Sequence, residues 1–177
     1  MFDKARSTGL TVSDWDNVIL VNQRGLRFWR EDDDSQAYID AALACTSDEG
    51  ELNGGGPIWA IFDSSAAARE TWITQPPYVD PDGYFASGST LEELAGNISR
   101  CVGDAPISAS VLRDTVERYN YLVAIGKDLD FGRANPRYKI DTAPFYAAWA
   151  TPIIHDSLFG LRANGDCMVL DLKGKPI

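Results

Sequence analysis

The apolar positions of the chain fall into short runs separated by polar, glycine-rich or proline-rich stretches. Val18-Ile19-Leu20-Val21 is a β-branched run, followed by the polar link Gln23-Arg24-Gly25 and the run Leu26-Arg27-Phe28-Trp29. Two such runs joined through a glycine predict a β-hairpin. Ile58–Asp63 predicts a further strand and Ser64–Trp72 a short alanine-rich helix. Helical spacing is clearest in Val111, Leu112, Thr115, Val116, Tyr119, Leu122 and Val123, which form one apolar stripe. Ser108 or Ser110 starts that helix and Gly126 stops it. Thr90-Leu91-Glu92-Glu93 is a capping box, opening a helix to about Arg100. The acidic run Glu31-Asp32-Asp33-Asp34-Ser35 opens another, from Gln36 to about Ala44, where carboxylates complement the helix dipole. Pro144–Ala150 predicts a strand. Runs around Leu161-Arg162 and Cys167–Asp171 predict two more, joined at Asn164-Gly165. Residues 1–16 read as a flexible lead-in. Gly50–Pro57, Gln75–Ser89 with its three prolines, and Lys127–Ala143 read as irregular. The fold class is α+β.

Composition narrows the functional classes. A chain of 177 residues, 45% of them hydrophobic, is enough for one packed domain. With 16 basic against 26 acidic residues the net charge is −10, which argues against a nucleic-acid or anionic-membrane surface. No uninterrupted apolar window reaches the roughly 18 residues of a spanning helix. Met1-Phe2-Asp3-Lys4-Ala5-Arg6 lacks the apolar stretch of a signal peptide, so the cytoplasm is the expected compartment. Cys45, Cys101 and Cys167 are far apart and read as buried thiols. His155 is the single histidine, so no metal site is expected. Gly54-Gly55-Gly56 is no phosphate loop, because no Lys-Ser/Thr follows and a strand does.

Several strings, in order, resemble one known family. Val18-Ile19-Leu20-Val21-Asn22 with Gly25, Arg27, Phe28 and Glu31 resembles the opening of the capping domain in the fumarate reductase/succinate dehydrogenase flavoprotein family. Ile61-Phe62-Asp63 is similar to its next strand, and Thr90-Leu91-Glu92-Glu93-Leu94-Ala95 to one of its helices. Thr115-Val116 with Arg118-Tyr119-Asn120 follows, then Gly126-Lys127-Asp128 with Asp130-Phe131-Gly132-Arg133, then Pro144-Phe145-Tyr146-Ala147. His155-Asp156-Ser157 with Gly160-Leu161-Arg162, and Val169-Leu170-Asp171 with Gly174-Lys175-Pro176-Ile177, resemble the return strand.

The resemblance implies an α+β capping domain over residues 17–155, with a short mixed sheet and packed helices. Residues 156–177 would be a β-hairpin remnant of the FAD domain. The Gly-x-Gly-x-x-Gly that holds an FAD pyrophosphate is not in this sequence. FAD is therefore the cofactor implied for a longer parent, and the isolated chain is expected to be inactive. The partners implied are the rest of the FAD-binding domain and a small-molecule substrate. Self-association through the former domain face is also expected. A freestanding, non-catalytic acidic binding module is the alternative.

By the same resemblance, His155, Asp156, Arg69 and Tyr146 are the catalytic candidates, with Tyr84 and Tyr78 as further phenols. Gly160 and Ser157 are the cofactor-binding candidates, and Glu31 and Phe62 the substrate-facing ones. Two departures stand out. Ala66-Ala67-Ala68 lies where fumarate-reducing members carry an arginine, and Asp32–Ser35 where they carry a second. A dicarboxylate needs such a pair. The Asp130–Arg133 string and the proline- and tyrosine-rich 75–89 stretch lean toward the 3-ketosteroid dehydrogenase side, whose substrates are apolar rings. Trp29, Trp59, Trp72 and Trp149 are expected in the core.

Overall fold

The computed structural model describes residues 10–33, 35, 38, 41–42, 57–81, 83–102, 107–150, 164–171 and 173–176. Four strands, β1 (Ile19–Val21), β2 (Trp59–Asp63), β3 (Phe85–Gly88) and β4 (Phe145–Trp149), form one sheet in the order β1-β2-β4-β3. Every neighbouring pair is antiparallel, so the expected mixed sheet is corrected to a purely antiparallel one. Three helices lie wholly among the described residues: α1 (Ser64–Glu70), α2 (Leu91–Val102) and α3 (Ala109–Ala124).

Both faces of the sheet are covered, which explains why its strands read as continuous apolar runs. On one face Ile19, Val21, Trp59, Ile61 and Ala147 pack against Leu94, Ile98, Leu112, Val116 and Tyr119 of α2 and α3. On the other, Leu20, Ala60, Phe62 and Phe85 meet Ala66 and Ala67 of α1, with Leu10, Val12 and Phe28. Alternate strand residues thus serve two separate cores. Residues 10–16 belong to this packing. A 3-10 turn at Trp15–Asn17 follows Asp14, and Glu70 accepts the N–H groups of Ser13 and Asp14, both at 2.9 Å.

Local rules account for the helices. Thr90 Oγ1 accepts the Glu93 N–H at 3.1 Å, and Glu93 reaches back to accept the Ser89 N–H at 2.7 Å. Helix α3 buries Leu112, Val116, Tyr119 and Leu122 from the expected stripe. It ends in a Schellman motif, with Gly126 N–H on Val123 C=O and Lys127 N–H on Leu122 C=O. Gly126 has φ +68°, which favours glycine. Asp63 closes the start of α1. Its carboxylate accepts N–H groups from Ala66 at 2.8 Å and from Asp141 and Thr142 at 3.0 Å.

Several expectations are corrected. The segment 75–89 contains β3, because its prolines stop at Pro81 and Phe85–Gly88 is free to pair with β4. Gly88 lets α2 approach: a Cβ there would lie 2.5 Å from the Leu94 nitrogen. Leu26–Trp29 forms only one bridge, Val21 to Arg27, because Arg27 turns to buried carboxylates and Phe28 joins the second core. Lys127–Ala143 is irregular as expected, yet Asp128, Arg133 and Ile140 within it are buried. Trp149 lies at the end of β4 and is 38% exposed, while Trp59 is fully buried. Cys167 is exposed rather than buried, because it is the left-handed residue of a turn (φ +59°).

That turn recurs. Asn22, Asn164 and Asp171 each accept two backbone N–H groups, two and four residues on. Gly25, Cys167 and Gly174 take the left-handed fourth position. At the Asn164-Gly165 turn, Asn164 N–H donates to Met168 C=O at 3.0 Å, and further on Leu170 bridges Pro176. The predicted strand at Leu161-Arg162, most of the 36–44 helix and nearly all of the Gly50–Pro57 loop lie outside the described residues.

Candidate functional site

The outer edge of β1 carries a buried ionic cluster assembled from distant parts of the chain. Arg27 donates to both oxygens of Glu31, from Nε and Nη2, each at 2.8 Å, and its Nη2 also reaches Asp128 at 3.0 Å. Arg133 Nη1 donates to Glu31 at 3.0 Å and to the Val18 carbonyl at 3.3 Å, and its Nη2 lies 2.9 Å from Asp16. Arg137 continues the chain of charges to Asp16 and, at 2.6 Å, to Asp14. The Arg27 guanidinium also sits 5.2 Å from the ring centres of both Tyr119 and Phe131.

The charges here are sustained by one another. Burial works against the charge on Arg27, but Glu31 and Asp128 outweigh it and hold the guanidinium protonated above its usual range. Burial likewise disfavours the Asp128 carboxylate. The Arg27 hydrogen bond and charge, with the N–H groups of Phe131 and Asp130, prevail and hold its carboxyl below the usual value. The Tyr119 phenol is pushed up to about 12, mainly by burial.

A second assembly is aromatic. Phe62 and Tyr146 are opposite each other on β2 and β4, with ring centres 5.3 Å apart. Trp72 stands edge-on to Phe62 at 4.8 Å, and Phe85 lies 5.7 Å from Tyr146. The Tyr146 hydroxyl is half-buried and 3.5 Å from Thr74 Oγ1.

Among the sequence-selected residues, the structure brings Phe62 and Tyr146 together and keeps Glu31 apart from them, at the outer edge of β1. Phe62 is 1% exposed, inside the second core. Both Glu31 oxygens are engaged, since Oε1 also accepts the Leu20 N–H at 3.1 Å. Arg69 is exposed near the end of α1, with Nε on Asn17 at 2.6 Å and its guanidinium 4.0 Å from the Tyr138 ring centre. Tyr84 packs edge-on to Trp149, and Tyr78 is exposed. His155, Asp156, Ser157 and Gly160 lie outside the described residues. The ionic cluster was not foreseen. Arg27 and Glu31, four apart, and Asp128 and Arg133, five apart, stand in two of the strings that carry the resemblance, and nothing in the sequence joins the two pairs.

The described residues do not fit an FAD pyrophosphate. Such a group needs free N–H groups at a helix start, without negative charge. The Asp63 carboxylate already fills the start of α1, and Glu92 and Glu93 occupy the first turn of α2; the start of α3 carries no acid and no side-chain cap, but it follows α2 rather than a strand of the sheet. The antiparallel sheet offers no parallel strand–helix–strand crossover. Among the described residues no cluster of His, Cys, Asp or Glu could hold a metal, and no helix is long and apolar enough to cross a membrane.

An α+β domain carrying a buried ionic edge and an aromatic wall is thus defined, and its relatives place it. The chain belongs to the FAD binding domain family, which matches residues 3–177. FAD is the cofactor of that family, and the relatives are FAD-dependent oxidoreductases. It is 31% identical to a probable fumarate reductase of Shewanella frigidimarina over 160 residues, covering 90% of this chain and 24% of that protein. It is 29% identical to a 4-oxocyclohexanecarboxylate 2-dehydrogenase of Sinomonas cyclohexanicum, covering 90% of this chain and 29% of that one. The solved open conformation of a flavocytochrome c3 fumarate reductase matches with a TM-score of 0.66 at 28% identity, covering 92% of this chain and 26% of that one. The chain therefore spans about a quarter of the length of these relatives.

Proposed function

We propose that residues 17–155 are the substrate-capping domain of an FAD-dependent oxidoreductase, with 156–177 leading back to the flavin-holding part. The antiparallel sheet, which offers no strand–helix–strand crossover for a dinucleotide, carries this reading. It supplies walls for a substrate rather than a cradle for a dinucleotide. When bound by the rest of such a protein, FAD supplies the hydride chemistry. This chain would supply exclusion of water, orientation and a proton. Phe62, Trp72 and Phe85 back the aromatic wall from which the Tyr146 hydroxyl projects, so Tyr146 is the described candidate for delivering a proton to a substrate oxygen. His155, with Asp156 beside it, is the candidate for holding a polar substrate group. Ser157 and Gly160 are assigned to the flavin side.

The substrate class proposed is a ring ketone or a similarly apolar small molecule. Ala66 and Ala67 are buried in the second core, and Arg69 is held by Asn17 and Tyr138. No guanidinium pair therefore stands ready for a dicarboxylate in α1. In this reading Glu31 and Phe62 shape the lid from behind. Self-association through apolar surface belongs to the same proposal, since Ile73, Tyr78 and Leu129 are half exposed or more.

Titrating the purified 177-residue chain with FAD tests the assignment. The expected outcome is a colourless protein without stoichiometric flavin or turnover, which associates in light scattering as its concentration rises. A stoichiometric flavin absorbance band on this chain would overturn it.

A further inference from the structure

The two outer strands of the sheet differ in what meets their free backbone groups, and that difference points to an interaction surface. In an antiparallel ladder, successive residues turn their N–H and C=O groups alternately toward and away from the partner strand. Trp149 N–H donates to Tyr84 C=O at 2.9 Å. With the observed register, Ala86 and Gly88 also face β4. Phe85 and Ser87 therefore turn their backbone groups outward. One of them is satisfied, since Asn97 Nδ2 donates to Ser87 C=O at 2.6 Å. The N–H groups of Phe85 and Ser87 and the C=O of Phe85 face an open groove of about 720 Å³.

The groove runs between β3 and the later turns of α2, with Pro81 and Gly83 at one end and Asn97 and Arg100 along the wall. Arg100 is exposed and is the only charged side chain among the described lining residues. No carboxylate pairs with it among the described residues, although the chain as a whole carries a net charge of −10. A strand edge with open donors and an acceptor, beside one unpaired guanidinium, is the arrangement that takes up an extended segment carrying a carboxylate.

We infer that the free edge of β3 is a docking slot for an extended acidic segment of another polypeptide, which adds as a fifth strand and places a carboxylate on Arg100. The local positive charge selects an acidic occupant.

A short fluorescein-labelled synthetic peptide of alternating valine and glutamate serves as the probe, read by fluorescence anisotropy on the whole chain. A peptide with lysine in place of glutamate is the control. Ser87→Pro removes an outward N–H while leaving the ladder to β4 intact, and Arg100→Glu reverses the charge. Circular dichroism and thermal melting establish that both variants are folded. The expected result is saturable binding of the glutamate peptide, weakened about tenfold or more in each variant. The lysine peptide should bind the wild type more weakly and gain affinity on Arg100→Glu. The inference is overturned if the glutamate peptide does not bind, if Ser87→Pro binds it as the wild type does, or if the two peptides bind the wild type equally. It is also overturned if light scattering shows the wild type pairing with itself through an edge that Ser87→Pro abolishes, since the occupant would then be a second copy.

Discussion

At the β1 edge, Leu20 N–H donates to Glu31 and Val18 C=O accepts from Arg133, so two side chains occupy the places where another strand would bond. At the β3 edge, Asn97 meets one carbonyl and the remaining outward groups face a groove. The two edges therefore face different surroundings. The β1 edge is buried beneath the 128–133 segment, where bare N–H and C=O groups would be costly. There long charged side chains stand in for a strand, and the burial of each charge is offset by an opposite one. The β3 edge borders solvent, where water can satisfy the backbone and no such cluster is required. An ion pair thus completes a sheet where water is excluded, while an open edge survives where water has access.

The largest expected effect sharpens that contrast at β1. Arg133→Met leaves Glu31 and Asp16 short of a buried partner and strips Val18 C=O, so thermal or urea denaturation should show a loss of about 3–5 kcal/mol. A loss below 1 kcal/mol would mean that the cluster does not seal the edge. Next, Gly88→Ala forces α2 away from β3, because the new Cβ meets backbone rather than a movable side chain. The expected cost is about 1–3 kcal/mol, measured the same way. A third variant reads the cluster through pH. The folded carboxyl of Asp128 titrates below its ordinary value of 3.8. Its contribution is therefore complete above the unfolded value and is lost as pH falls through the lower folded one. Asp128→Asn should be less stable than the wild type at neutral pH and should lose stability less steeply on acidification. Parallel acid-unfolding curves for the two proteins would contradict this. Last, Asn97→Ala removes the one side-chain cap on β3 and should cost only about 1 kcal/mol or less. A cost matching that of Arg133→Met would erase the distinction between the edges.

Much of the fold was legible locally. Thr90 and Glu93 mark the start of α2, and the stripe from Leu112 to Leu122 with Gly126 marks the extent of α3, because capping and amphipathic spacing act within a few residues. The run Ile58–Asp63 was legible as a strand because both its faces are buried. Strand β3 was hidden by neighbouring prolines, since what makes Phe85–Gly88 a strand is Phe145–Trp149, some 60 residues away. The aromatic wall was visible one residue at a time, yet nothing in the sequence places Phe62 opposite Tyr146. Glu31 was selected for substrate contact, and only the structure shows both of its oxygens already engaged.

By itself the sequence determined the helices, three of the four strands, the acidic character and the flavoprotein kinship, all of which rest on local strings and composition. Tertiary structure alone decided that the sheet is antiparallel, that Arg133 meets Glu31 across 102 positions, and that one edge is closed and the other open. Pairing of distant strands and charges depends on which surfaces become buried together, and burial is a property of the folded chain rather than of any segment of it.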